Sequence, residues 1–159
     1  MCGAVRFHWH DIHDPQLQQV SQFDSAYESQ YWGAHPVLPV SVDGKSWLVS
    51  WGNRQERRDV PATGWAQRES VAAGKWHRYR PIRVVIPVYS GYEQGVWFAI
   101  HHGIHGILLG SGADARVFML TEAATPAYRA LTNHPRQPWL IDQATIDPLP
   151  GSRTQMPLW

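Results

Sequence analysis

Arg83-Val84-Val85-Ile86-Pro87-Val88, Val96-Trp97-Phe98-Ala99-Ile100, Ile104 with Ile107-Leu108-Leu109, and Val117-Phe118-Met119-Leu120 follow one another with only short polar gaps. Each run is strand-length, β-branched or aromatic, and bounded by turn-forming residues, which predicts successive strands. Pro87 has no N–H to give to a ladder, so its run reads as an edge strand or a bulged one. Upstream, Val40 and Val42 alternate before Asp43-Gly44, and Trp47, Val49 and Trp51 alternate after it. That is a hairpin with one apolar face, the first of several antiparallel strands. Helical signals are few. Asp14-Pro15 followed by Leu17, Val20 and Phe23 predicts a short helix, Arg68 to Lys75 a second ended by Gly74-Lys75, and Thr125-Pro126 with Tyr128 and Leu131 a third that stops before Asn133-His134-Pro135. Arg54 to Gly64 is turn-rich, and the proline-rich stretch from Ile146 to Trp159 is expected to wrap the surface. No repeat or linker divides the chain. The expectation is a single α+β domain over 1–159, strand-rich, mostly antiparallel and forming a distorted barrel with a few short helices.

At 159 residues and 43% hydrophobic, the chain is long and apolar enough to bury a core. Its single cysteine excludes an internal disulfide framework. No apolar run approaches the roughly 20 residues of a membrane span, and no basic-then-apolar leader is visible. The expected protein is soluble and cytoplasmic, with no membrane, no obligate protein partner and no cofactor. Net charge is only +1, but the segment from Arg54 to Arg83 holds eight basic side chains against three acidic ones, a local +5. Such a stripe is either phosphate-facing or a solvated loop. Nine tryptophans suit a core and also the stacking of bases or sugars.

Three residues have the chemistry of a reactive site. Cys2 becomes an N-terminal 1,2-aminothiol if the Met1–Cys2 bond is cut; its amine can form an imine with an aldehyde and its thiolate can then close a thiazolidine on the same carbon. Glu93, in Ser90-Gly91-Tyr92-Glu93-Gln94-Gly95, lies between two strands, where a carboxylate projects from a rigid frame. His134 brings an imidazole, which can give or take a proton, and sits in His134-Pro135-Arg136-Gln137-Pro138, fixed by two prolines.

Taken in order, Met1-Cys2-Gly3, Leu38-Pro39 with Trp51-Gly52, Ala66-Gln67-Arg68-Glu69-Ser70, Ile86-Pro87 leading to Gly91-Tyr92-Glu93, Leu120-Thr121 and His134-Pro135-Arg136-Gln137-Pro138 resemble the motifs of the SRAP family, the SOS-response-associated peptidases that process abasic sites in DNA. The resemblance implies autoproteolytic release of Met1, then a thiazolidine crosslink between Cys2 and the aldehyde of an abasic site in single-stranded DNA. It implies Glu93 as proton shuttle and His134 as the group that protonates or orients the sugar oxygen. It also implies DNA contacts from Gly3, Arg68, Arg78, Arg80, Thr121, Arg136, Trp51 and Trp65.

The chain departs from the family pattern at several positions. Pro36 stands where the pattern has asparagine, Trp65 replaces asparagine, Gln67 arginine, Gln94 tryptophan and Ala4 arginine, with Arg6-Phe7 as a displaced Arg-Phe pair. Each lost arginine is a lost charge-assisted phosphate contact. The competing readings are a degenerate single-strand-binding member of the family, a metal site drawn from His8, His10 and His13 or from His101, His102 and His105, and a tryptophan-lined sugar-binding module.

Overall fold

The computed structural model describes residues 2–9, 18–19 and 25–151. In chain order the elements begin with β1 (Ala4–His8), β2 (Gln18–Gln19), β3 (Ala26–Gln30), β4 (Val37–Val42), β5 (Lys45–Trp51), β6 (Trp65–Gln67) and α1 (Arg68–Ala72). They continue with β7 (Ile82–Ile86), β8 (Ser90–Glu93), β9 (Val96–Ala99), β10 (Ile104–Leu109), β11 (Arg116–Ala123), α2 (Pro126–Thr132), β12 (Arg136–Pro138) and β13 (Asp147–Pro148). Strands dominate and helices are short, as the apolar runs predict.

Five of the strands close into a barrel in the order β4, β5, β11, β10, β7 and back to β4. Strand direction cannot alternate all the way round an odd ring, so one seam has to be parallel. It is the β5–β11 pair, joined through Ser50–Arg116 and Trp51–Val117. The β4–β5 hairpin turns through Asp43 (φ 50°) and Gly44 (φ 77°), both left-handed, the backbone whose twist matches the flanking strands. Trp47 shares the face of Val49 and Trp51 but lies near the turn of that hairpin, where it is exposed rather than covered by the core.

The second layer is an all-antiparallel sheet, β13-β9-β8-β1-β3-β2. Val5, Phe7 and Phe98 from this sheet share one core with Leu38, Val40, Trp51, Ile86, Val117 and Met119 of the barrel. A smaller cluster lies outside the barrel wall, where Trp76 covers Ile107, Leu109, Phe118 and Leu120. Both faces of β10 and β11 are thus buried, which is why their sequences read as continuous apolar runs rather than alternating ones.

Pro87 is neither at an edge nor in a bulge. Strand β7 is paired on both sides, with β10 and β4, and ends at Ile86. Pro87 lies just beyond, where the chain leaves the barrel for β8 of the sheet, so its missing N–H interrupts no ladder. The expected helix from Asp14 falls mostly outside the described residues. Gln18 and Gln19, which are described, pair with β3 as a strand instead, because extending the sheet satisfies their backbone better than one helical turn. The C-terminal stretch adds β13 to the edge of β9 through Asp147 and Pro148; residues 152–159 lie outside the described residues. Helices α1 and α2 form as predicted. Thr125 caps α2 by accepting from the Tyr128 N–H at 3.1 Å, and Asn133 ends it in the left-handed region.

A candidate active site where Cys2, Glu93 and His134 meet

Cys2 is held by backbone bonds on both sides of β1. The Gly3 N–H donates to the Tyr92 carbonyl at 2.9 Å, the Gly3 carbonyl accepts from the Tyr31 N–H at 2.9 Å, and the Trp65 indole donates to the Cys2 carbonyl at 3.0 Å. The Cys2 thiol is fully buried and donates to the Ala4 carbonyl at 3.3 Å. Beside it lies Gly91 of β8. A Cβ on Gly91 would sit 3.0 Å from Cys2 Sγ and 2.8 Å from Phe98 Cζ, so only glycine lets β8 approach this closely.

Glu93 ends β8 at a two-residue turn through Gln94 (φ 46°) and Gly95 (φ 86°), opposite Val96. Strand alternation puts Tyr92 on the outer face and turns Glu93 inward, where it is 4% exposed. It is therefore not the solvated hairpin glutamate its neighbours suggest. His134 follows the left-handed Asn133 that stops α2, and its Nε2 lies 3.6 Å from Glu93 Oε1. Its Nδ1 lies 3.1 Å from both the backbone nitrogen and the carbonyl oxygen of Arg136, so the Arg136 contacts fit either tautomer; the Glu93 carboxyl beside Nε2 is the reason to place the ring proton there. Three residues far apart in sequence thus converge where β1, β8 and the end of α2 meet.

Burial governs the electrostatics of this corner. It pushes the Cys2 thiol up to about 12, with the Glu93 charge adding to the rise and hydrogen bonding from the Tyr92 backbone opposing it. Burial also holds the Glu93 carboxyl above its ordinary range, with His134 pulling the other way. Tyr128, from the buried face of α2, is likewise raised by burial, then by Cys2 and Glu93. Its hydroxyl is the one buried side-chain polar atom among the described residues with no hydrogen-bond partner. The sequence marks Tyr128 only as part of a helix face; the available signal was a phenol on the inner side of a helix that ends at His134.

The predicted DNA-contact residues divide. Trp51 and Thr121 are 1% and 0% exposed. Trp51 donates its indole N–H to the Gly64 carbonyl, and Thr121 holds Arg136 through its hydroxyl and carbonyl, so both are internal supports. Gly3 has both backbone groups engaged in the sheet, and Trp65 is tied to Cys2. Arg136, two residues after His134, also reaches Glu69 at 2.8 Å. Arg68 pairs with Glu122 at 3.2 Å and lies 3.7 Å over the Trp139 ring, which Arg83 flanks at 4.8 Å and His105 stacks on at 3.9 Å. Burial, then Arg83 and Arg68, lower the His105 pKa. This Arg68–Trp139–Arg83 strip was missed as a unit, because its members come from α1, β7 and the residue after β12. Arg78 and Arg80 are exposed elsewhere; Arg78 stacks on Tyr79 and borders a hollow of about 300 Å³ with Arg57 and Asp59.

The positive stripe from Arg54 to Arg83 is accordingly not one rim. Arg54 donates to the carbonyls of Tyr31 and Gly33, and Arg57 pairs with Asp59. Only Trp51 and Trp76 are buried among the described tryptophans, so the tryptophans are less a core than the sequence suggests. The histidines do not gather either. His8 stacks on Tyr89, His101 pairs with Asp147 at 3.1 Å, His105 meets Arg83, and His10 and His13 lie outside the described residues. Among the described residues no three His, Cys, Asp or Glu side chains are grouped as metal ligands. Nor is any helix among them long and apolar enough to cross a membrane. No family model, no curated protein and no solved structure matches the chain.

Proposed function

We propose that this chain is an SRAP-type abasic-site processing protein that captures single-stranded DNA covalently through Cys2. The observation that supports the reading most is the convergence of Cys2, Glu93 and His134 in one water-poor corner, with the carboxyl and imidazole 3.6 Å apart. Cutting the Met1–Cys2 bond, the peptidase step, exposes an α-amine. An α-amine of ordinary pKa about 8 is partly neutral at physiological pH and is a competent nucleophile.

The amine adds to the aldehyde carbon of a ring-opened abasic sugar to give a hemiaminal. Glu93, as the carboxylic acid, protonates the hemiaminal hydroxyl, which leaves as water and gives the iminium. Glu93, now a carboxylate, takes the Sγ proton; the thiolate adds to the iminium carbon, the C=N π pair returns to nitrogen, and the thiazolidine closes. Glu93 ends as it began. Burial suits both halves, because a carboxyl held above its ordinary range keeps its proton to higher pH than an exposed one and so has it to give. His134 presents its Nε2 proton to the sugar oxygen. Arg136 beside the site, and the Arg68–Trp139–Arg83 strip beyond it, offer guanidiniums for phosphates and an indole for a base.

A second reading, single-strand binding without covalent capture, draws on the complete burial of the Cys2 sulfur. Intact mass of the purified protein, alone and after mixing with abasic single-stranded DNA, separates the two. The covalent reading expects loss of one methionine and an adduct of protein plus DNA minus one water. A noncovalent complex that dissociates on denaturation, with no mass adduct, would overturn it.

A further inference from the structure

We infer that Tyr128 is a further catalytic residue of this corner, its phenol donating a hydrogen bond to the Cys2 sulfur when the thiol gives up its proton. The inference rests on the reading of Cys2 as the nucleophile. Tyr128 is fully buried, in the same core as Cys2 and Phe98. Its ring packs edge-on against Phe98 with centroids 5.8 Å apart, and the tip of Phe98 and Cys2 Sγ both crowd the place where a Gly91 Cβ would be. A buried hydroxyl without a partner costs about 1–3 kcal/mol, so a hydrophobic position has reason to be phenylalanine unless the hydroxyl has a use. The resting thiol uses its only hydrogen on the Ala4 carbonyl. A thiolate, and the thiazolidine sulfur after it, have no hydrogen to donate and only lone pairs to offer. The phenol and the sulfur do not bond in the resting state, so a turn of the Cys2 side chain away from the Ala4 carbonyl brings the sulfur to a donor already waiting in this dry corner, and the phenol keeps its own proton while Glu93 removes the thiol's.

Among the described residues, the titratable groups facing Cys2 are Glu93 from β8 and Tyr128 from α2, with His134 behind Glu93. The test is Tyr128→Phe, which keeps the ring packing and removes only the unpartnered hydroxyl. Because the chain has one cysteine, a single ¹³Cβ signal reports its thiolate population in the folded protein without DNA. Removing a donor to the charged sulfur should leave about tenfold less thiolate at a given alkaline pH, displacing the onset of the shift upward by about one pH unit. With abasic single-stranded DNA, the borohydride-trapped imine should form at the wild-type rate while ring closure slows about tenfold. Superimposable ¹³Cβ curves would overturn the role of Tyr128 even if the wild type crosslinks normally. A displaced curve in a protein that never crosslinks would keep the Tyr128–sulfur bond and sink the abasic-site reading instead. A thermal midpoint equal to or above wild type is expected for Tyr128→Phe and shows that any change is not misfolding.

Discussion

The corner at Cys2 and the strip around Trp139 are both places where this small domain gathers ionisable groups, and they handle them in opposite ways. Along the strip each guanidinium is answered at once: Arg68 by Glu122 and the Trp139 ring, Arg83 by His105 and the same ring, Arg136 by Glu69 and Thr121. These pairs are half in water, screened, and worth little apiece to stability. In the corner the groups are taken out of water, with a thiol pushed up to about 12, a carboxyl held high by burial and a phenol with no partner. A strip of that kind is suited to holding a polyanion loosely; a corner of that kind is suited to moving protons. Burial of the ionisable groups is what distinguishes the corner from the strip.

The sharpest way to break the contrast is Cys2→Ala. It should abolish the denaturation-resistant adduct with abasic single-stranded DNA, leaving at most a reducible imine on a denaturing gel. An equally stable adduct would move the nucleophile elsewhere. The same variant has a thermodynamic signature that needs no DNA. The folded thiol sits at about 12 against an ordinary 9.0, so between those values the folded state binds more protons than the unfolded one and stability falls as pH rises. Over the whole window the loss amounts to about 4 kcal/mol at most, and thermal melts of Cys2→Ala should lack it.

Next in size, Glu93→Gln should slow crosslinking by about 10²-fold, since an amide keeps the shape but carries no proton. The folded Glu93 carboxyl keeps its proton through a range where the unfolded chain has released it, so wild-type stability declines as pH rises through that window. Glu93→Gln should flatten the decline and raise the melting temperature at neutral pH. Smaller again is Gly91→Ala, which forces a Cβ against Phe98 and the Cys2 sulfur and should cost about 1–3 kcal/mol in denaturant titrations, with crosslinking reduced although no proton-carrying group has been altered.

The smallest effect belongs to the strip. Arg68→Ala should weaken single-strand affinity modestly and lower the slope of log affinity against log salt by about one, with the imine and ring-closure rates at saturating DNA unchanged. Charge reversal at Arg78 and Arg80 tests the Arg54-to-Arg83 stripe as a phosphate-facing surface. Arg78 lines a different hollow and Arg80 is exposed two residues on, so a larger effect there than at Arg68 would show that DNA tracks along the other side of the barrel.

Local signals were legible where the chain satisfies them locally. Asp43-Gly44 specifies its turn through two left-handed residues, and Thr125-Pro126 specifies a cap through a side-chain oxygen and a preset φ. Strand β1 was not legible, because Ala4-Val5-Arg6-Phe7-His8 is short and its outward Arg6 finds its reasons in other strands, in Glu28 of β3 at 3.0 Å and the Trp97 ring of β9 at 4.0 Å. Strand β8 was hidden for the same reason: Ser90-Gly91-Tyr92-Glu93 has turn-like composition, and its glycine makes sense only once Phe98 and Cys2 are seen against it. Cys2, Glu93 and His134 were recognisable by chemical type and motif order. Tyr128 was not, since a hydroxyl that touches nothing leaves no pattern in sequence.

The parallel seam of the barrel also has a history written into it. The β4–β5, β7–β10 and β10–β11 junctions are antiparallel ladders, whereas β4 meets β7 only at Ser41–Val85 and β5 meets β11 only across Ser50–Arg116 and Trp51–Val117, the latter between the segments farther apart along the chain. Closing that junction requires ordering a long intervening loop for very little local return, so assembly of the ring should finish there. At this end the Gly52 N–H bonds the Val117 carbonyl at 2.7 Å and Gly52 packs against Thr63 and Gly64, while Trp65 next to them ties to the Cys2 carbonyl. The last latch of folding and the holder of the reactive residue are therefore neighbours, and a chain that has not finished closing its ring has not yet set Cys2 in place.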